Sequence, residues 1–162
     1  MSKNETKIIA EPGKPELTIE REFDAPRELV FRAYTEPDLI VKWWGPKDIT
    51  TTIEKMELKP GGEWRFISTN PDGSKDVFFG EYKEIDPPRR MSQTFNYEPI
   101  GPGHESVDSA VFEELPDDRT RVISKSAFKS VADRDGMMQS GMEQGVNEGY
   151  ERLDDLLEEL KG

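Results

Sequence analysis

Apolar and polar residues alternate along several short segments, and this pattern predicts an antiparallel sheet. Leu17, Ile19 and Phe23 recur at nearly alternate positions in ELTIEREF, as expected for a first strand with one buried face. Six further segments rich in β-forming residues follow, and turn residues separate them. These segments are ITTTIEKMEL, EWRFIST, DVFFGEYKEI, RMSQTFNYE, VDSAVFEEL and TRVISKSAF. The chain is therefore predicted to contain seven strands joined by hairpins.

Helical spacing replaces this alternation in three places. Asp24 and Pro26 favour a short helix directly after the first strand, and Pro37 begins a second one, DLIVKWW, which Gly45-Pro46 ends. The third and longest helix is predicted from Asp133 to Leu160. Its apolar residues are three or four positions apart and share one face: Met138, Met142, Val146, Tyr150, Leu153, Leu157 and Leu160. This order favours an α+β fold in which a curved antiparallel sheet of seven strands grips one long C-terminal helix.

Glycine recurs every fourth residue in this helix, at Gly141, Gly145 and Gly149. Each glycine in a helix interior costs about 1 kcal/mol relative to alanine, so the missing side chains need a reason. A straight helix and a curved sheet diverge at one end. We expect residues 153–160 to close the core and residues 137–149 to cover an open space. Close packing of the helix would explain the glycines without a ligand, and both explanations remain open at this point.

Four segments together resemble a known superfamily. They are PRELVFRAYTEPDLIVKWWGP, KPGGEWRF, FFGEYKEIDPPRRM and GMEQGVNEGYERLDDLL. Their order and spacing, over residues 16–161, resemble the START-like (SRPBCC) helix-grip superfamily, which includes birch-pollen-allergen-like proteins and polyketide cyclases. Within it, the chain is similar to the group named for homology to the activator of the ninety-kilodalton heat-shock protein's ATPase. The resemblance implies a deep cavity between sheet and long helix that often takes an apolar or aromatic small molecule, and it implies no shared catalytic residue.

Candidate cavity-lining residues follow from the resemblance and from the face on which each apolar residue lies. Methionines suit an adaptable wall, although any of these residues can equally belong to a filled core. The candidates are Phe31, Trp44, Trp64, Phe66, Tyr82, Phe95, Phe112, Met138, Gly141, Met142 and Gly145. Of the pair Trp43-Trp44, we expect one ring in the core and one at the cavity mouth. Polar side chains that could orient a ligand are Arg65, Gln93, Tyr82, Tyr97 and Glu143.

Composition narrows the choice of partners. The formal net charge is −12, with 34 acidic and 22 basic residues, which opposes binding to nucleic acid or to an anionic membrane. The chain has no cysteine and a single histidine, His104, so we expect no metal and no cofactor. We expect a flexible polar arm over residues 1–14, a single domain over residues 15–162 and a cytoplasmic location. No sequence feature decides between a monomer and a homodimer.

Three functions remain open from the sequence. The leading hypothesis is a non-enzymatic protein that binds an apolar or aromatic small molecule for sequestration, transport or protection. The second is a small cyclase-, dehydratase- or hydrolase-like enzyme, which would need a titratable group inside the cavity with a hydrogen-bond partner. The third is a co-chaperone or protein-interaction module, which predicts an exposed apolar patch around Trp43. The eukaryotic activators carry a further N-terminal chaperone-binding domain where this chain has only the polar arm, which weakens the third hypothesis.

Overall fold

One antiparallel sheet of eight strands forms the frame of the protein in the computed structural model, which describes residues 4–161. In spatial order the strands are β1, β2, β8, β7, β6, β5, β4 and β3. Their bounds are Lys7–Ile9 (β1), Glu16–Phe23 (β2), Thr50–Met56 (β3), Glu63–Thr69 (β4), Lys75–Asp86 (β5), Arg90–Tyr97 (β6), Ser106–Leu115 (β7) and Arg119–Ala127 (β8). Register shifts at Ile53/Lys55 and at Tyr82/Glu84 interrupt the ladders of β3 and β5. Such bulges bend strands and increase their twist, which suits a sheet that curves around a helix.

Four α-helices complete the fold. Two short helices, α1 (Arg27–Thr35) and α2 (Pro37–Trp43), connect β2 to β3, and one 3-10 turn follows β6 at Glu98–Ile100. The C-terminal segment forms α3 (Val131–Gln139) and α4 (Met142–Lys161). The predicted α+β helix-grip fold is thus confirmed.

The sheet has one strand more than predicted. Lys7–Ile9 forms the edge strand β1 and pairs antiparallel with residues 18–20 of β2. Three residues are too few for a readable alternation, so the pattern of the predicted arm did not reveal this strand. Residues 1–3 of that arm, and Gly162 of the predicted domain, lie outside the described residues.

The single long helix predicted from Asp133 to Leu160 is in fact two helices. The chain breaks at Ser140 and Gly141, where Gly141 has a φ of 86°. L-residues with a side chain rarely adopt this left-handed conformation, so glycine is the residue that permits the break. α3 begins two residues earlier than predicted, because the Ser130 side chain accepts a hydrogen bond from the Asp133 backbone N–H and caps the helix.

One end of the concave face is fully packed. The side chains there leave 2% or less of their surface exposed: Phe23, Phe112, Val122, Leu153 and Leu157. The Phe23 ring meets the edge of the Tyr150 ring of α4 at 5.3 Å. Beside it, the buried guanidinium of Arg21 binds the Asp154 carboxylate through two hydrogen bonds of 2.6 and 3.1 Å. The leucine-rich end of α4 therefore closes the core, as the sequence predicts.

Candidate ligand-binding site

A connected group of aromatic rings covers the other end of the concave face. Trp44, at the end of α2, contacts Phe66 of β4 and Phe78 of β5 edge-on, with ring centroids 5.3 and 5.1 Å apart. Phe78 also contacts two rings of β6. Its ring centroid lies 5.5 Å from that of Phe95, and it stacks on Tyr97 with centroids 5.1 Å apart. Offset and edge-to-face contacts of this kind stabilise aromatic packing beyond the area that they bury. We refer to Trp44, Phe66, Phe78, Phe95 and Tyr97 as the aromatic wall.

Trp64 packs against Phe66 and Phe95 of this wall, and its cross-strand neighbour on β5 is Gly80. The indole Nε1–H of Trp64 donates to the Thr94 carbonyl at 3.2 Å, passing over Gly80. A Cβ atom at Gly80 would lie 2.7 Å from that nitrogen and would overlap the Thr94 carbonyl oxygen. Glycine at position 80 therefore lets Trp64 lie flat between β5 and β6, with its ring 2% exposed.

Two of the predicted lining residues lie instead in a second aromatic group. Phe31 of α1 and Phe112 of β7 meet edge-on at 5.1 Å, and Tyr34 contacts both Phe112 and Trp43. Phe31 and Phe112 are 6% and 1% exposed, so their rings are packed within the core cluster. Trp43 is also buried and donates its Nε1–H to the Ala33 carbonyl at 2.8 Å, whereas Trp44 is half-buried on the aromatic wall.

Several inward-facing residues at the open end keep accessible surface, whereas those at the closed end are buried. Strand register places these side chains on the same face as the buried Phe112 and Tyr82. A fully packed core would bury them completely. Half-buried side chains on this face are Phe78, Gln93, Phe95, Tyr97, Asp108, Ser124 and Ser126, with Trp44, Met142 and Val146 on the helical side. We refer to this region as the open end.

A polar row crosses the open end from strand to strand. Tyr82 of β5 is the ladder partner of Gln93 of β6, which faces Asp108 of β7, which in turn faces Ser126 of β8. Directly cross-strand residues lie on one face with their Cβ atoms about 5 Å apart, so these four side chains form a continuous line. The Ser106 hydroxyl donates to Oδ1 of Asp108 at 3.2 Å, and the neighbouring Ser126 hydroxyl lowers the pKa of this carboxylate.

Burial makes Asp108 an unusual carboxylate. Desolvation raises the pKa of Asp108 from 3.8 to about 6, although the hydrogen bonds from Ser126 and Ser106 partly oppose this rise. Within the described part of the chain, no ion pair links Asp108 to a basic side chain. Burial likewise raises the pKa of Tyr82, its neighbour two strands away along the row. Asp108 is therefore a titratable group on the inner face of the sheet with hydrogen-bond partners.

Successive turns of α4 follow successive rows of β8. Asp154 binds Arg21, whose ladder partner is Val122, and Tyr150 lies close enough to Ser124, in the next row, for that hydroxyl to lower its pKa. Four residues of helix rise about 6 Å and two residues of strand about 7 Å, so the two progress together. By the same step, we expect Val146, which packs against the core, to lie above the row of Ser126 and Asp108.

The predicted lining residues on α3 and α4 differ in how deeply they are buried. Met142 is half-buried and packs against the core, but Met138 of α3 is 37% exposed. Gly141 is exposed at the helix break, and a Cβ atom there would meet no other atom within 4 Å. A Cβ atom at Gly145 would lie 3.5 Å from Cγ of Pro46, so this glycine faces the end of α2.

Two of the polar candidates point away from the sheet's inner face. Arg65 alternates with the inward Trp64 and Phe66 and forms ion pairs with Glu54 and Glu98. Glu143 is exposed and lines a shallow, open concavity on the outer side of α4, together with Lys47, Gln144, Asn147, Glu148 and Glu151.

Sequence reasoning missed Asp108, although the signal was present. In the strand VDSAVFEEL, alternation places Asp108 on the face of Ala110 and Phe112, which are buried. The chain's single histidine, His104, lies at the surface, where its Nδ1 is 2.8 Å from Oδ1 of Asp133. Among residues 4–161, no group of three His, Cys, Asp or Glu side chains is placed to hold a metal ion. No helix in the described chain is long and apolar enough to cross a membrane.

A curved antiparallel sheet around a C-terminal helix, with an aromatic and partly accessible inner face, defines a protein of the START-like helix-grip class. The model of one family, described as Activator of Hsp90 ATPase homolog 1-like protein, matches residues 24–158. The chain belongs to this family. No curated protein matches the chain significantly.

Solved structures from several bacteria share the fold over nearly the whole chain. A protein of Arthrobacter aurescens, solved by NMR, is 27% identical with a TM-score of 0.85, covering 94% of this chain and 91% of that one. Protein Ms6760 of Mycobacterium smegmatis is 26% identical with a TM-score of 0.83, covering 94% and 96%. A Rhodobacter sphaeroides protein is 25% identical with a TM-score of 0.85, covering 96% and 99%.

Proposed function

We propose that the protein binds an apolar or aromatic small molecule between the inner face of the sheet and the first turns of α4. It would act by sequestration, transport or protection, without catalysis. The observation that carries this proposal is the contrast between the two ends of the concave face. Side chains at the closed end are buried completely, whereas those of the aromatic wall are mostly half-buried. The family fold supports the same reading, because helix-grip proteins commonly bind hydrophobic ligands.

The aromatic wall supplies the driving force for such binding. A ligand that removed about 200 Å² of apolar surface from water would gain about 5 kcal/mol, before the cost of association is subtracted. Trp44 and Phe78 are edge-on to each other, so a flat ring could meet either an edge or a face. This adaptability suits a family of apolar ligands better than one exact shape.

A thermal-shift screen with two tryptophan variants tests the proposal. The purified protein is screened against aromatic, lipid-like and polyketide-like compounds, and a ligand should raise Tm in proportion to its concentration. Met142→Trp fills the open end and should abolish the ligand-induced rise. Met138→Trp adds the same bulk at an exposed site one turn away and should preserve it. A bulky side chain at Gly141 would not serve this purpose, because the positive φ of that residue strains any side chain there.

Either of two results would overturn the proposal. One is that no compound in the screen raises Tm. The other is that the ligand-induced rise is the same in the folded Met142→Trp variant as in the unaltered protein.

Asp108 favours an enzyme as the second candidate function. A carboxyl group with a pKa of about 6 can accept a proton near neutral pH, as general-base catalysis requires. Mass spectrometry of a bound compound, recovered after prolonged incubation, separates the two functions. Recovery of the unchanged compound supports binding alone, and a product that disappears in the Asp108→Asn variant supports catalysis.

The hypothesis of a co-chaperone or protein-interaction module predicted an exposed apolar patch around Trp43. Trp43 is only 7% exposed, so this surface is absent there.

A further inference from the structure

We infer that Asp108 anchors the ligand, and that the ligand is an apolar or aromatic compound that carries a protonated amine. This inference rests on the proposed function, which requires a ligand at the open end. It adds a chemical class to that function, because it separates cationic compounds from neutral and anionic ones with the same apolar body.

The carboxylate of Asp108 has spare hydrogen-bonding capacity. A carboxylate offers roughly four lone-pair sites, and the Ser106 hydroxyl occupies one of them, with Ser126 beside it in the row. The side chain keeps accessible surface on the inner face, between Gln93 and Ser126 in the polar row. A ligand ammonium group could therefore donate to Asp108 without displacing either serine.

The charged groups around Asp108 leave its negative charge without compensation. On β2, Arg21 is two rows away and is bound to Asp154. On α3, Arg134 binds Asp135 and the Glu11 carbonyl. The other titratable side chains facing this region are Asp76, whose carboxylate accepts a hydrogen bond from Tyr97, and the tyrosines Tyr34, Tyr82, Tyr97 and Tyr150. None of them supplies a positive charge. A cation from outside the chain is thus the natural counter-charge, and the net charge of −12 also favours it.

The surroundings of Asp108 suit the rest of such a molecule. Phe95 is the ladder partner of Ser106, so an aromatic ring lies one row away from the carboxylate. Rings of the aromatic wall would bury an apolar body, and their faces also attract a nearby ammonium group. A carboxylate ligand, such as a fatty acid, would instead place a second negative charge beside Asp108. The burial that raises the pKa of Asp108 to about 6 makes that repulsion stronger than in water.

Three probes with one bicyclic body test this inference: naphthylethylamine, naphthylethanol and naphthylacetate. Their Kd values are measured by isothermal titration calorimetry at pH 7.5 for the unaltered protein, Asp108→Asn and Glu113→Gln. Glu113 is the matched control, because it is an exposed carboxylate on the opposite face of the same strand. We expect the amine to bind most tightly and the acetate most weakly. Asp108→Asn should weaken the amine roughly tenfold to a hundredfold, as expected for loss of a charge-assisted hydrogen bond. Glu113→Gln should change nothing.

Proton release gives a second readout that a purely structural role would not produce. An ammonium group beside Asp108 lowers its pKa, so amine binding at pH 6 should release a fraction of a proton. The binding enthalpy will then depend on the ionisation enthalpy of the buffer. This dependence should vanish in the Asp108→Asn variant.

The outcomes separate this inference from the proposed function. If all three probes bind with similar Kd, or if Asp108→Asn leaves the preference intact, Asp108 is not the anchor, although the open end still binds ligands. If none of the three binds the folded protein, both the proposed function and this inference fail for this class of body. A preference for the amine that Asp108→Asn removes supports both.

Discussion

At Asp108 the demands of stability oppose those of the proposed function. A carboxyl group placed among Phe95, Ala110 and Tyr82 loses hydration that two serine hydroxyls restore only in part. The neutral form therefore suits the folded protein better than the charged form. A protein optimised only for stability would place an apolar or amide side chain at this position, so the acid is a candidate for selection by function.

The pH dependence of stability should reveal this cost. Because the folded pKa of Asp108 is about 6 and the ordinary value is 3.8, the folded state holds the proton more tightly than the unfolded state. The resulting stabilisation is fully present below pH 3.8 and is lost as the pH rises through 6. Asp108→Asn removes this dependence. The free energy of unfolding of the variant, minus that of the unaltered protein, should rise by on the order of 2 kcal/mol between pH 4 and pH 7.

Urea unfolding at pH 4, 5, 6 and 7 measures this difference. Glu113→Gln is again the control, since it changes an exposed carboxylate of the same strand. If the unfolding curves of Asp108→Asn and the unaltered protein shift in parallel over this range, the folded pKa of Asp108 is not raised.

Among the secondary-structure elements, the C-terminal segment uses its three regularly spaced glycines in three different ways. Gly141 adopts a positive φ and ends the continuity of α3 and α4. Gly149 lets the backbone of α4 approach α2, because a Cβ atom there would lie 3.3 Å from the Trp43 carbonyl oxygen. Arg152 of α4 stabilises the same contact with the end of α2 by donating hydrogen bonds to the Gly45 and Pro46 carbonyls. Gly145 has ordinary van der Waals distance to Pro46 and no strained φ.

Alanine at each glycine should therefore have a different effect. Gly145→Ala should raise the free energy of unfolding by about 0.5–1 kcal/mol, because alanine favours the helix and the space accommodates a methyl group. Gly149→Ala should lower it by about 1 kcal/mol, because the Trp43 carbonyl must move. Gly141→Ala should lower it by about 1–2 kcal/mol through backbone strain. Urea unfolding followed by circular dichroism ranks the variants, and equal effects at positions 145 and 149 would contradict this account.

On the scale of the whole molecule, the two ends of the concave face should differ in dynamics. The closed end combines buried leucines with the Arg21–Asp154 pair, while the open end has half-buried side chains and a helix break. Regions with few buried apolar contacts open locally, at a lower free energy than global unfolding.

Native-state hydrogen exchange measures this difference directly. Backbone amides of α3 and of the first turn of α4 should exchange through local opening, whereas those near Leu153 and Leu157 should exchange only on global unfolding. A ligand identified in the thermal-shift screen should slow exchange at Met142 and Val146 far more than at Leu157. Uniform protection along α4, with and without ligand, would show that both ends are equally closed.

Most of the fold was predictable because the sheet has one buried face. Alternation in ELTIEREF and helical spacing near Leu153 each report burial directly, and both predictions hold. The helix break was not predictable in the same way. Gly141 and Gly145 look equivalent in the sequence, and the positive φ of Gly141 appears only in the structure.

The candidate site was predictable only in part. Sequence alternation places Trp64, Phe66 and Tyr82 on the inner face correctly, but it cannot tell a packed ring from an accessible one. Phe112 and Phe95 look alike in the sequence, but Phe112 is covered by Phe31 and Tyr34 of α1, whereas Phe95 stays half-buried. Asp108 was missed because acidic residues are usually exposed, and that expectation concealed its position in the alternation.

The short strand β1 affects how readily the edge of the sheet can pair with another chain. A sheet of this order has two edges, and each exposes backbone donors and acceptors that can recruit another chain. At one edge, β3 carries a bulge and the charged Lys55, which is paired with Glu63. At the other edge, β1 is only three residues long and covers part of the eight-residue β2. Without those three residues, all eight residues of β2 would be open to pairing with another chain, so the N-terminal segment shortens the exposed edge.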